Sequence, residues 1–233
     1  MIALREDSTP ARAPIGAEIE ALTVLHEDAH LIALVKPAGL LAVPGRGPER
    51  ADCLSARAQQ RWPDALVVHR LDQATSGLML LARGADMQRA LSTAFAERRV
   101  AKRYEALVHG RLDLPADAAA VDGWAEIALP LIVDWPNRPR SKVDHAVGKP
   151  SLTRWQPLAH DATRGFTRLA LAPVTGRSHQ LRVHLQASGH PIVGDTLYRP
   201  PDGSPRLMLH ACALQLAHPA SGVALALHSP PPF

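Results

Sequence analysis

The chain has 233 residues, 46% of them hydrophobic and 21% charged, which is enough apolar material for a sizeable core and excludes global disorder. Twenty-six Lys and Arg against 22 Asp and Glu leave a net charge of +4, too mild for a histone-like polycation but compatible with a nucleic-acid partner where the cations cluster. No apolar run approaches the roughly 18 residues of a membrane span, and the start of the chain lacks the cationic and apolar stretches of a signal peptide. The two cysteines, Cys53 and Cys212, form no CxxC pair, which excludes a disulfide scaffold and a zinc ribbon and leads us to expect a reducing, cytoplasmic setting.

Residues 1–20, rich in Ala, Pro and Glu, read as a loosely docked arm. LTVLHEDAHLIALVK then predicts a strand, a turn over Glu27 to His30, and a second strand from Leu31 to Lys36 that is apolar throughout and so buried on both faces. GLLAVPGRGPE reads as loop, and Asp52 is the expected N-cap of a short helix ending near Pro63. In VVHRLDQATSGLMLLAR a polar segment, His69 to Gly77, is held between two apolar strands, a natural place for chemistry. Over 85–98, Ala90, Leu91, Ala94 and Phe95 share one face of an amphipathic helix. AKRYEALVHG alternates as a strand with Tyr104, Ala106 and Val108 on one side. Residues 112–150, rich in Pro, Asp and Gly, predict an elaborated loop with short strands. FTRLALAP is a further strand, QLRVHLQASG a short helix stopped by Gly189 and Pro191, and LMLHACALQLAHP with VALALHSP a closing hairpin. There is no repeat and no low-complexity segment beyond the prolines at 230–232. Strands dominate without strict βαβ alternation, so the expected class is α+β around a mixed or antiparallel sheet.

Three stretches carry candidate chemistry. In HRLDQATSG, Asp72 could be an ordinary turn former, but Arg70 precedes it and Thr75, Ser76 and Gly77 follow, a corner able to present a carboxylate into a cleft. No partner acid and no GxSxG elbow accompany it, so a two-carboxylate glycosidase and an α/β-hydrolase are not supported. In TGRSHQLRVHLQASGHPIVGD, Arg177, His179, Arg182, His184 and His190 fall within fourteen residues. His179 and His184 are spaced poorly for one helix face and no cysteine is near, so structural or RNA-facing histidines are expected rather than a metal site. The arginines suit carboxylate or phosphate, which their planar fork matches. The third stretch, Arg98 to Arg111, holds Lys102 and Arg103 around Tyr104. A second basic cluster, Arg138, Arg140, Lys142 and Lys149, adds to a phosphate-tracking surface, and Tyr104 offers a stacking platform for one base. The tryptophans Trp62, Trp124, Trp135 and Trp155 are expected to be packing residues.

KPAGLLAVPG, HRLDQATSG, AKRYEALVHG, TGRSHQLRVHLQASGHPIVGD and LMLHA, in that order, resemble the motif series of the RluA family of pseudouridine synthases. The resemblance runs from Leu22 to Pro230 and implies an α+β catalytic domain over 21–233, its mixed, largely antiparallel sheet split by an active-site cleft, with no S4 RNA-binding domain ahead of it. It implies that Asp72 is the catalytic aspartate and that Arg182 pairs with its carboxylate. Tyr104 would stack on the uracil, Arg70 would fill the gap left by the flipped nucleotide, and Leu209 would support the base from its other side. Arg177, His179, Lys102, Arg103, Arg138 and Arg140 are then candidates for gripping RNA. No metal, cofactor, membrane or obligate protein partner is implied, and no P-loop or GxGxxG is present. The segment LPLIVDWPNRPRSKV places the chain near the compact members of the family, which implies that both a 23S rRNA hairpin and a tRNA anticodon stem-loop are substrates. A single-specificity rRNA or tRNA synthase, and a non-catalytic RNA-binding module, are the alternatives.

Overall fold

The structure, a computed structural model, describes residues 22–117 and 122–233. The arm expected over 1–20 and part of the loop expected over 112–150 lie outside those residues. In chain order the elements are β1 (Thr23–Glu27), β2 (Leu31–Lys36), α1 (Leu54–Arg61), β3 (Ala65–Val67), β4 (Ser76–Arg83), α2 (Gly84–Ala96) and β5 (Ala101–His109). There follow β6 (Ala125–Ile127), β7 (Leu131–Val133), β8 (Ser141–Val143), β9 (Thr153–Asp161), β10 (Phe166–Pro173), α3 (Gln180–Ala187), β11 (Leu209–Ala217) and β12 (Ala224–His228). One sheet runs in the order β1-β2-β4-β11-β5-β10-β9-β6, with β3 beside β4 and β12 beside β11, while β7 and β8 form a separate hairpin. Among the named strands of the described residues only the β4–β11 pairing is parallel, so the sheet is mixed and largely antiparallel and the fold is α+β. No helix among the described residues is long and apolar enough to cross a membrane.

The apolar run of β2 is explained by two helices on opposite faces of the sheet. Leu31 and Ala33 of β2, with Leu78 and Leu80 of β4, pack against Leu91 and Ala94 of α2. Ile32 and Leu34, with Met79 and Leu81, pack against Leu54, Ala58 and Trp62 on the α1 side. The period of two thus delivers alternate residues to two cores. A third core joins Ala106 and Val108 of β5 to Leu169 and Leu171 of β10 and to Leu181 and Leu185 of α3.

Two local expectations are corrected. Asp52 does not cap α1. The cap is Cys53, whose Sγ accepts from the Ala56 N–H, while Asp52 is held one residue upstream by Arg57 at 2.7 Å. Strand β9, with Pro157 in its middle, was not among the expected elements. Proline cannot donate to a ladder, but β6 pairs only with Thr153 to Trp155, so the Pro157 side of β9 that would need an N–H has no neighbour there. The register of β9 against β10 slips at the same place, between Arg168 and Leu169.

The parallel junction sets the middle of the sheet. Gly77 pairs with Ala211, which in turn stands across from Tyr104. Gly77 has φ +116, and a Cβ there would lie 2.4 Å from the Ala211 carbonyl oxygen. Gly77→Ala is therefore expected to destabilise the fold by about 2 kcal/mol or more, from backbone strain and overpacking together. A urea midpoint unchanged from wild type would contradict this.

Candidate active site

The connection from β3 to β4, which carries Asp72, is fixed at several points. On its upstream side the His69 ring stacks on Phe95 at 4.3 Å and its Nε2 accepts the Leu80 N–H at 2.8 Å. Burial, helped by the Lys102 charge, pulls the His69 pKa down to about 3, so the ring stays neutral and keeps that acceptor. Next to Asp72, the Gln73 carbonyl accepts from the Gly39 N–H at 2.9 Å and from Lys36 Nζ at 3.0 Å. Lys36 ends β2 fully buried, and its Nζ also donates to the carbonyls of Pro37 and Leu40, both at 2.8 Å. Three acceptors match the three protons of an ammonium. Burial draws the Lys36 pKa down to about 7, and the Asp72 charge opposes that fall. Downstream, Ser76 Oγ bonds His210 Nδ1 at 2.7 Å and also receives Arg206.

The facing wall is the start of α3. His179, its N-cap, adopts a left-handed φ of 54°, a conformation costly for a residue with a side chain and held by its surroundings. Gln180 is satisfied at every polar atom. Its oxygen accepts from Thr175 Oγ1 at 2.7 Å and the Arg177 N–H at 3.0 Å, and its nitrogen donates to Leu152 O and Thr153 Oγ1, both at 3.0 Å. This fixes the β10–α3 connection, and with it the guanidinium of Arg182 one turn into the helix. Arg182 Nε and Nη2 donate to the two oxygens of Asp195 at 2.8 and 2.6 Å. Its remaining terminal nitrogen, Nη1, faces Asp72 Oδ2 at 3.8 Å. Burial works against the Arg182 charge, but the Asp195 bonds and charge, with Asp72 behind them, raise its pKa on balance.

His179 Nε2 stands 3.9 Å from the other Asp72 oxygen, and its Nδ1 is 2.8 Å from the Tyr198 hydroxyl. That hydroxyl accepts from the Ser141 N–H at 2.8 Å, which leaves its own proton for Nδ1 and the imidazole proton on Nε2, towards Asp72. Burial is the main cause of a lowered His179 pKa, so the ring is neutral at pH 7. Tyr104 rises from β5 into the same space. Burial first, and the Asp72 charge second, push its phenol well above the ordinary value, so it too is neutral.

These groups line one cleft of about 490 Å³, the size of a site for a small molecule or a single nucleotide. The cleft brings together Asp72, Arg182, Tyr104, Arg70, Arg177, His179, Leu209 and Lys102, residues that lie far apart in the sequence. It does not include Arg103, which leaves the opposite face of β5 and covers Trp124 at 4.4 Å, or Arg138 and Arg140, which sit at the β7–β8 turn. Lys36, Asp195 and Tyr198 were given no role from sequence. His184 bonds Thr153 Oγ1 and Leu129 O, both at 3.0 Å, and His190 bonds His109 O at 2.9 Å, so both serve packing. Trp62 and Trp155 are 4% and 5% exposed, as packing residues should be, but Trp135 is 68% exposed.

Residues 30–187 match the family described as RNA pseudouridylate synthase. The chain belongs to that family. It is 43% identical over 215 residues to the dual-specificity RNA pseudouridine synthase RluA of Escherichia coli (strain K12), covering 91% of this chain and 94% of the relative. It is 48% identical over 204 residues to the protein of the same name from Vibrio vulnificus (strain CMCP6), covering 85% and 78%. Among solved structures, human RNA pseudouridylate synthase domain containing 1 superposes with a TM-score of 0.75 at 28% identity, covering 94% of this chain and 86% of that one. Members of the family are isomerases acting on RNA.

Asp195 is the one carboxylate that grips Arg182 with two hydrogen bonds, and both partners are buried. Asp195→Asn is expected to cost about 3 kcal/mol by removing the hydrogen-bonded counter-charge of a buried guanidinium, and to lower turnover because Arg182 is no longer aimed at Asp72. A thermal melt and a rate measurement check this, and wild-type values in both would contradict it.

Proposed function

We propose that this chain isomerises uridine to pseudouridine in the loops of two kinds of RNA, a 23S rRNA hairpin and a tRNA anticodon stem-loop, with Asp72 as the reacting carboxylate. The observation that carries the reading is the convergence of Asp72, Arg182 and Tyr104 from three separate parts of the chain on one cleft, with Arg70 exposed at its rim. The reaction breaks the N1–C1′ bond, turns the uracil, and joins C5 to C1′. The C5 hydrogen leaves and N1 takes up a proton, so the balance closes without oxidant, reductant or group donor. Asp72 serves as nucleophile at C1′ or as base at the neighbouring sugar carbon, and both roles need it ionised. The guanidinium of Arg182 and the Nε2–H of His179 both face the carboxylate.

A base inside a helix cannot reach such a group, so the nucleotide has to leave its stack. In this reading Arg70 takes the vacated space, Tyr104 stacks on the extruded uracil, and Leu209 closes the pocket from the far side. Lys102 and Arg177 at the rim meet the flanking phosphates. Unpaired loops are the natural target, since their bases are splayed out at little cost, and the shared name of the relatives supports two substrates that present a similar loop.

Asp72→Asn is expected to abolish tritium release from RNA labelled at uridine C5 while leaving stem-loop affinity within about tenfold, because the substitution is nearly isosteric and binding rests on phosphate contacts. Turnover by the variant would remove Asp72 from the chemistry. Purified wild-type protein incubated separately with an anticodon stem-loop and a 23S hairpin of the same loop sequence should convert both. Conversion of one alone would mark a single-specificity enzyme, and binding without conversion of either would mark an RNA-binding module.

A further inference from the structure

In a chain with 4% aromatic residues, an indole left 68% exposed needs an explanation, because a large apolar ring in water is the informative exception on a protein surface. Trp135 stands at the turn between β7 and β8. The guanidinium of Arg138 lies over one face of its ring at 3.9 Å. Arg138 Nε is itself tied to the Trp135 carbonyl at 3.1 Å. The turn beneath is closed by the Asp134 N–H to Arg140 O at 2.9 Å, the Asn137 N–H to Asp134 O at 2.9 Å and the Arg140 N–H to Asn137 O at 3.0 Å. Asn137 Nδ2 adds a bond to the Asp134 carboxylate at 2.9 Å. The indole is thus held in place with a cation on one side.

The hairpin is rooted in the catalytic wall. Leu131 of β7 packs with Val183 of α3 and with Tyr198, and Ser141 of β8 donates to the Tyr198 hydroxyl. Arg140 and Arg182 lie over the same Tyr198 ring at 5.4 and 5.1 Å. Arg177 at the cleft rim reaches the Pro150 carbonyl at 3.4 Å, next to Lys149, which pairs with Leu131 at the hairpin base. Exposed cations therefore continue from the cleft to the turn, through Arg177, Lys149, Lys142, Arg140 and Arg138. The acids on the hairpin are half-buried Asp134, bonded to Asn137, and Asp144, whose carboxylate caps the Ala146 and Val147 N–H groups and lies 4.0 Å from Lys142.

We propose that Trp135, backed by Arg138, is a stacking platform for an unpaired base of the substrate RNA outside the cleft, and that the cations between them track the phosphates linking that base to the target uridine. The proposal rests on the stem-loop reading above. An aromatic face next to a run of Lys and Arg is the combination by which single-stranded nucleic acid is gripped without sequence-specific hydrogen bonds. The platform is fixed to α3, so a base stacked there orients the loop relative to Asp72.

The test uses the full chain and the anticodon stem-loop. Trp135→Ala should raise KM by about 5- to 100-fold, the range expected for losing one base–aromatic stack, with a much smaller change in kcat. Trp135→Phe, which keeps a ring face, should recover most of the loss. Stem-loop binding should quench tryptophan emission in wild type, and that quenching should be largely absent in Trp135→Phe. Circular dichroism and melting of both variants should match wild type, since most of the indole is already in solvent. A KM within twofold of wild type for Trp135→Ala, together with quenching that persists in Trp135→Phe, would overturn the proposal. A change in sedimenting mass with no change in KM would also overturn it and mark the turn as a protein interface. If wild type releases no tritium from any stem-loop, the substrate reading fails, while the quenching experiment still reports on the platform.

Discussion

Arg182 is 3% exposed, and a guanidinium taken that far out of water has to meet an opposite charge in good geometry or the surrounding structure gives way. Asp195 supplies that charge with two hydrogen bonds. The pair is neutral as a unit, so it can be buried, yet the third nitrogen of the fork is left pointing into the cleft. The charge offered to Asp72 is therefore stationary. A lysine could not do this, because its single ammonium cannot bond Asp195 at two points and face a second carboxylate from a fixed plane. The β10–α3 connection, the left-handed His179 and the full set of Gln180 bonds all serve to deliver this one planar group.

The opposite wall answers with a different device. Lys36 buries its amino group under three carbonyl groups, one of them from Gln73, so the loop holding Asp72 closes around a polar donor rather than around apolar side chains. Among the described residues the Asp72 carboxylate makes no hydrogen bond, only its 3.8 and 3.9 Å contacts to Arg182 and His179. Electrostatic attraction orients it, but its oxygens keep lone pairs available for a reacting atom. Catalytic contacts often tighten only when substrate arrives, and this spacing leaves room for that.

The Asp72 loop was legible because a polar run between two apolar strands has few other uses, and the Tyr104 face was legible from the alternation of β5. The same alternation places Arg103 on the far side of the strand from Tyr104; counting charges in the segment obscured what the period of two already said. Asp195 was not legible, since it lies thirteen positions from Arg182 in a loop without periodicity. Lys36 was not legible either. A lysine before proline at a strand end reads as solvent-facing, and only the tertiary approach of Leu40 and Gln73 turns it inward. Cys53 replaced Asp52 as the helix cap because capping depends on which residue takes the extended conformation just before the first turn, a shift of one position that composition does not resolve.

The cations of this protein lie at three depths, and depth decides what each can do. Arg182 is enclosed, where an effective dielectric well below that of water strengthens its action on Asp72 and ions in solution cannot reach it. Lys102, half-buried, has its pKa lowered by burial and by Arg98, so its position at the rim favours contact with a phosphate that compensates for lost water. Arg138 and Arg140 are exposed and screened within about 8–10 Å at physiological salt, and in the proposed reading they act through counterion release as RNA arrives. Capture and chemistry thus draw on separate groups with separate sensitivities. In that reading ionic strength acts on the outer cations and on encounter with RNA, while the buried Arg182–Asp195 pair that faces Asp72 is sheltered from it.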